Sequence, residues 1–466
     1  MAEKTMDAGT YKKFHESFMQ NNNGSSIVEV FGVIVAPYFT IFHCINLVLV
    51  ANIVSIPLRF LLEFLLIVLF IVANVTVANE YIPGIVLTLL TASVAAAAGQ
   101  LRFVLHEAPF IQIPTTKPQF VSMARALINL ISVVCILAVD FQCFPRRFAK
   151  TETYGVSLMD VGVGLYVFAN GIVSRDGRRT EEPLSWKKVK NLAISISPLI
   201  VLGVGRSVSV SATNYHEHIS EYGVHWNFFI TLAVTAFLGA LLVAPLRDRD
   251  HLKFVAIVIV TIHEMCLQLG LASFVLSDSR ENLFEANKEG IFSLPGYLAI
   301  YIASMYVQNS LRWSESVIKW REFLLQTAKM GLIALCLWKM VYIAEEMFGI
   351  SRRLANMGYV IWILAIGTTM VALLMLLELG YYFLKFDKTK SDECVHQYGP
   401  VILNAINHNG LIFFLVANLL TGAINLTVQT MLLDTVTSLA IVAVYMLILC
   451  SLQTILYVYK VDLKFW

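Results

Sequence analysis

Long apolar runs alternate with short polar connectors along almost the whole chain. They fall near 27–49, 57–78, 82–101, 123–139, 155–174, 190–206, 225–245, 253–276, 292–309, 323–346, 354–383, 400–425 and 435–458. Each approaches the ~20 residues that a helix needs to cross a hydrocarbon core about 30 Å thick. The pattern predicts an all-α, polytopic membrane protein with about thirteen transmembrane helices. It divides the chain into an N-terminal segment over 1–26, one transmembrane domain over 27–458 and a tail over 459–466.

Composition agrees with the pattern. Of 466 residues 58% are hydrophobic and only 14% charged, where soluble chains carry about 25% charged residues. A net charge of +2 without a basic tail argues against a nucleic-acid partner. The seven cysteines show no zinc-ligand spacing and read as buried thiols. The first 26 residues lack the basic-then-apolar pattern of a cleaved signal peptide. With the N-terminus placed in the lumen, 21 lysines and arginines fall in cytosolic segments and 11 on the opposite side. The positive-inside rule therefore predicts a lumenal N-terminus and a cytosolic C-terminus.

That orientation sorts the loops by chemistry. The cytosolic connectors are plain and basic, as in SRDGRRTEEPLSWKKVK. The lumenal ones mix acids, bases, amides and aromatics, as a binding or catalytic site needs. The densest is DFQCFPRRFAKTETYGVSLMD, from Asp140 to Asp160. The others run over 214–229, 279–297, 351–362 and 417–427.

Asp140 ends the fourth run, and Lys150 follows ten residues on, beyond Pro145. A carboxylate at the boundary suits a general base, with the lysine orienting it or stabilising an oxyanion. A loop-pinning salt bridge is the alternative, and spacing alone favours it. His216, His218 and His225 share a loop with Glu217 and Glu221, which makes His218 a second candidate base. No H-E-x-x-H spacing supports a metal there. Trp226, Phe228 and Phe229 read as an interfacial aromatic belt. Arg206, Arg280, Lys288, Arg352 and Arg353 could hold an anionic head group or serve as interface anchors. Asn287 and Asn356 could bind hydroxyls or cap helices. Asp160 falls inside the fifth run, where a charge costs about 3 kcal/mol, so it should face a cavity or a partner. Gly162, Gly164 and Gly171 suit close helix packing or room for an acyl chain.

Several motifs carry a family resemblance. D-F-x-x-F-P-R-R-F-A-K-T-E spans Asp140 to Glu152, and G-V-S-L-M-D-V-G-V-G spans Gly155 to Gly164. Y-x-E-H-x-x-E-Y-G-V-H-W-N-F-F follows from Tyr215, then S-R-E, A-N-K-E-G and S-L-P-G-Y between Ser279 and Tyr297. S-R-R-L-A-N-x-x-Y begins at Ser351 and A-N-L-L-T-G-x-x-N-L at Ala417. This set resembles the glucosaminyl-phosphatidylinositol acyltransferase family (PIG-W type). The match runs from about Asp140 to the C-terminus; earlier residues match in hydropathy and weakly around GSSIVEVFGV. Asn282 to Glu285 depart from the small-residue pattern expected before A-N-K-E-G.

The resemblance implies a multi-pass protein of the endoplasmic reticulum membrane with a lumenal active face. It implies transfer of a fatty acyl group, palmitoyl expected, from acyl-CoA to the inositol 2-hydroxyl of glucosaminyl-phosphatidylinositol, a step in GPI-anchor biosynthesis. Acyl-CoA is then a co-substrate, and neither a tightly bound cofactor nor a metal is implied. It reverses the balance for Asp140 and Lys150, which become the expected catalytic pair. The expected substrate-binding residues are Arg147, Asp160, Glu217, His218, His225, Asn227, Arg280, Asn287, Lys288, Arg352, Arg353, Asn356 and Asn418. The rival from another class is a lipid or ion-coupled transporter, resting on Asp160, Lys329, Lys339 and Glu378 as charges within apolar runs.

Overall fold

The computed structural model describes the chain apart from residues 1–5, 19, 21, 108–111, 115–117, 175–184, 214–220, 247, 312–315, 389–398 and 464–466. A short amphipathic helix, α1 (Ala8–Phe18), precedes the bundle. Then follow α2 (Ile27–Val50), α3 (Ile56–Val75), α4 (Ile82–Glu107), α5 (Gln119–Ala138) and α6 (Val161–Ile172). Next come α7 (Trp186–Thr213), α8 (Phe228–Val243), α9 (Arg249–Leu276), α10 (Lys288–Ser310) and α11 (Trp320–Phe348). The chain closes with α12 (Met357–Lys388), α13 (Val401–His408), α14 (Gly410–Thr427) and α15 (Thr435–Val458). The all-α multi-span reading holds, with one small addition. Gln112–Pro114 and Val317–Lys319 form a two-stranded antiparallel ribbon between connectors.

Among the described residues eleven helices are long and apolar enough to cross a membrane. The two remaining expected spans are the shorter α6 and α8, of 12 and 16 residues. At 1.5 Å per residue, α6 reaches only ~18 Å. Its predicted first turn is instead an extended loop wrapped around Asp160. The start of α8 is set by Asn227, whose Oδ1 accepts from the amides of Phe229 and Ile230 at 3.1 and 3.3 Å. The run over 400–425 breaks at Asn409 into α13 and α14. There the Asn409 side chain donates to the Val461 carbonyl and accepts from the Leu463 amide.

Buried glutamates start three helices from a distance. Pro118 and Pro400 precede α5 and α13 and offer no side-chain acceptor. Glu378 of α12 accepts from the Phe120 amide at 3.0 Å, and Glu63 of α3 from the Ile402 amide at 2.9 Å. Glu264 of α9 accepts from the Met357 amide at 2.9 Å, at the start of α12. Each carboxylate satisfies donors that a helix start leaves open, and meets the positive end of the helix dipole. Glu378 is therefore a cap rather than an ion-gating charge. Lys329 and Lys339 lie on the exposed side of α11.

Glycines allow the closest helix contacts. A Cβ on Gly164 would strike the Ile363 side chain, and one on Gly171 would strike Ser304 and the Tyr301 carbonyl. Gly162 faces open space, so packing does not explain it.

The mixed loops gather at one end of the bundle. Gly155 donates to the Ile350 carbonyl at 2.9 Å, and Val224 to Ala286 at 2.8 Å. Ser25 bridges to Val156, and the Gln429 amide holds both backbone groups of Met6. The β-ribbon and the Arg59 bond to the Gly399 carbonyl join connectors assigned to the opposite side.

Removing one of the long-range caps should destabilise the bundle. Glu378→Ala leaves buried amides without an acceptor and lowers unfolding free energy by about 1–3 kcal/mol. Glu378→Gln, which keeps an acceptor oxygen, loses less. Denaturant unfolding of both variants in detergent checks this, and equal loss would contradict the capping role.

Candidate functional site

At the loop-rich end, Asp160 organises two of the mixed loops. It is fully buried. Its Oδ2 accepts from the Thr151 amide and hydroxyl at 3.2 and 2.7 Å and from the Ser157 hydroxyl at 2.8 Å. Its Oδ1 accepts from Arg352 Nε at 2.8 Å, and the Tyr359 hydroxyl donates to its carbonyl at 2.9 Å. Burial alone would lower the Arg352 pKa, but Glu221 and Asp160 outweigh it and raise the guanidinium further. The charge foreseen inside the fifth run thus has a partner, 192 residues on.

The turn carrying Arg352 is pinned from several sides. Asn356 Oδ1 accepts from the Ser351 and Tyr359 amides at 3.0 and 3.1 Å, and its Nδ2 donates to the Gly349 carbonyl at 3.0 Å. His263 Nε2 lies 3.0 Å from the Leu354 carbonyl. Within the turn Ala355 sits at φ 45°, a strained conformation for a residue with a Cβ.

A second network centres on Glu289, also fully buried. Arg280 approaches it at 2.6 and 3.2 Å, and Arg353 at 2.9 Å. Two guanidinium groups against one carboxylate leave an excess positive charge. Lys288 is buried beside them, donating to the Ser277 hydroxyl at 2.6 Å and the Ser279 carbonyl at 3.0 Å. Asn287 accepts from the His225 amide at 2.8 Å and so ties that loop to α10.

Asp140 forms a third centre. It is 6% exposed, with Asn425 Nδ2 donating to Oδ2 at 2.7 Å and His15 Nε2 3.4 Å from Oδ1. Arg146 lies nearby; burial pulls its pKa down to about 10 while Asp140 raises it. The Phe18 ring stacks 4.3 Å from that guanidinium, and Tyr11 meets Thr430, so α1 lies over Asp140. Lys150 pairs with Glu221 at 2.7 Å. Asp140 and Lys150 do not pair with each other. The expected orientation of Asp140 by Lys150 gives way to orientation by Asn425 and His15, because Asp140 meets side chains from α14 and α1 while Lys150 meets Glu221 from the loop before α8.

Residues 11–456 match the GWT1 family model. The chain belongs to the GWT1 family. It is 31% identical to "Phosphatidylinositol-glycan biosynthesis class W protein" of Dictyostelium discoideum, over 98% of this chain and 99% of that one. It is 30% identical to human "Glucosaminyl-phosphatidylinositol-acyltransferase PIGW" over the same shares. "GPI-anchored wall transfer protein 1" of Yarrowia lipolytica is 34% identical over 74% of this chain and 73% of its own.

In this GWT1-family chain the remaining candidates divide by what they touch. Arg147 donates to Glu29 at 2.9 Å and to Asn79, and it braces the α2 start. Asn227 also donates to the Gly203 carbonyl at 2.8 Å, and Asn418 to the Phe414 carbonyl at 2.7 Å, both within the protein. Asp160, Asn356 and Lys288 are likewise occupied by neighbours. Glu217 and His218 lie outside the described residues. Phe228 and Phe229 pack against Tyr166 and Phe414 rather than forming a belt. Cys266 and Cys336 are exposed, against the expectation of buried thiols.

Sequence reasoning does not reach His15, Asn425 and Glu221 as partners of the expected catalytic pair, because they lie far from Asp140 and Lys150 along the chain. The only cue for Asn425 was its place in the A-N-L-L-T-G-x-x-N-L motif. Breaking the Asp160 network should be severe. Arg352→Ala leaves a buried carboxylate without its cation and should cost about 3–5 kcal/mol of stability. A double-mutant cycle with Asp160→Asn, read by denaturant unfolding, should show coupling of at least about 1 kcal/mol. Additive losses would contradict the pairing.

Proposed function

We propose that this protein is an O-acyltransferase of GPI-anchor biosynthesis. It moves a fatty acyl group, palmitoyl first among them, from acyl-CoA to the inositol 2-hydroxyl of glucosaminyl-phosphatidylinositol. The carrying observation is the 30% identity to the human protein of that name across nearly the full length of both chains. The proposed setting is the endoplasmic reticulum membrane, with the loop-rich end towards the lumen.

The side chains at that end suit the reaction. Asp140, held by Asn425 and His15, takes the proton as the 2-hydroxyl oxygen attacks the thioester carbonyl. The new C–O bond replaces the C–S bond, and the proton passes to the departing CoA thiolate. Lys150 has three donors and gives only some of them to Glu221, so it can also serve the developing oxyanion. The excess positive charge of Arg280 and Arg353 suits the acceptor phosphodiester. The transporter reading loses its support, because Asp160 is ion-paired and Glu378 caps α5.

The test is acyl transfer from palmitoyl-CoA to short-chain glucosaminyl-phosphatidylinositol by purified protein. Asp140→Asn should lower kcat by about 10³-fold and Lys150→Ala by about 10²-fold, with unfolding midpoints unchanged. His15→Gln should slow transfer less, since Asn425 still holds the carboxylate. Full activity in Asp140→Asn would move the base to another residue. No transfer by folded wild-type protein would overturn the proposal.

A further inference from the structure

A cavity of about 210 Å³ lies where α9 breaks its regular helix. Over Leu267–Leu271 the helix widens into a π-turn, with Gly270 at φ 117°. Such bulges cost regular hydrogen bonding and recur at functional sites. The polar walls are Glu264, Gln268, Ser273, Asn356 and Tyr154. Tyr154 belongs to the same loop as Asp140 and Lys150, and Asn356 to the turn that carries Arg352 and Arg353. The volume holds roughly seven waters at about 30 Å³ each, the scale of one sugar ring rather than an acyl chain.

The charge on the cavity wall selects the ligand. Glu264 is 4% exposed, and its hydrogen-bond partners among the described residues are neutral. Its two oxygens accept from Gln268 at 2.8 Å and from the Met357 amide at 2.9 Å, both neutral donors. Two carboxylate oxygens offer about four acceptor directions, so capacity remains for a ligand. A buried carboxylate without a countercharge is stabilised by a cation placed beside it. Three residues before the cavity residue Asn356, Arg353 shares one carboxylate with Arg280, and the two carry the opposite excess. The two together complement a head group that joins an ammonium to a phosphodiester.

We propose that this cavity takes the amino-sugar ring of the acceptor lipid, with Glu264 meeting its ammonium. This rests on the acyltransferase reading and deepens it: Glu264 becomes a residue that selects an unmodified amine on the acceptor. The hydroxyls of the ring then face Gln268, Ser273 and Asn356. An N-acetylated sugar would lose the charge contact and add bulk at the same place.

The experiment compares short-chain glucosaminyl-phosphatidylinositol with its N-acetylated counterpart, in binding and in acyl transfer from palmitoyl-CoA. Wild-type protein should favour the free amine at least about tenfold in KM and in binding. Glu264→Gln keeps an acceptor for the Met357 amide, so it should fold and lose that preference, with KM for the free amine rising at least about tenfold towards that of the N-acetylated form. Ser273→Leu fills the cavity without touching Glu264 and should weaken both acceptors. Phosphatidylethanolamine, an ammonium-bearing phosphodiester without a sugar, should compete at least about tenfold less well than the amino-sugar lipid. Equal competition would overturn the assignment to a sugar. Acyl transfer that ignores acetylation, unchanged in Glu264→Gln, would overturn the cavity proposal and leave the reaction standing. Amine-selective binding without acyl transfer would support the cavity and sink the reaction.

Discussion

The ion pair between Asp160 and Arg352 is the contact on which the loop-rich end depends. Both groups are buried, and the carboxylate is further held by Thr151 and Ser157. It therefore fastens the loop from Asp140 to Asp160 onto the turn between α11 and α12. That turn is fastened in its own right by His263 and Glu264 of α9. Irregular backbone near a bilayer is tolerated only where the protein satisfies its polar groups. The pair supplies that satisfaction for two loops at once, and it sets where α6 begins.

Apart from Asp140, the buried acids among the described residues meet either helix starts or guanidinium groups. Glu63, Glu264 and Glu378 each accept from the first amides of a helix far away in sequence. Asp160 and Glu289 hold arginines. Glu264 stands apart, since it caps α12 and also faces a polar cavity. Asp140 stands apart in another way: its neighbours are an amide, an imidazole and, further off, Arg146. A carboxylate so placed is fixed in direction without being locked into a strong ion pair. That is the condition a general base needs.

The apolar runs made the helices legible, since length and hydropathy alone decide what can cross a bilayer. Where a run held a buried polar residue, the reading stretched the helix too far. The run over 155–174 lost its first turn to the Asp160 loop, and the run over 400–425 broke at Asn409. The β-ribbon of three-residue strands gave no periodic signal of its own. The short helix α1 falls within what reads from sequence as an N-terminal segment over 1–26, because its packing onto Arg146 and Thr430 depends on distant residues. The same physics limited the site. Asp140, Lys150 and Asp160 were visible as charges at a membrane boundary, but their partners His15, Asn425, Glu221 and Arg352 come from other parts of the chain. A cue for the long-range caps was present in Pro118 and Pro400: a helix that starts behind proline must find its acceptor elsewhere.

On the proposed function the acceptor head group is taken at the loop-rich end, around the Asp160–Arg352 pair. Photolabelling tests it most directly. A glucosaminyl-phosphatidylinositol carrying a photoreactive group on the sugar would be activated on the purified protein, and the labelled peptides mapped by mass spectrometry. Label concentrated in 140–160, 264–273 and 351–356, and displaced by unlabelled acceptor, is the predicted result. Displaceable label confined to the opposite end, around the ribbon of Gln112–Pro114 and Val317–Lys319, would contradict it.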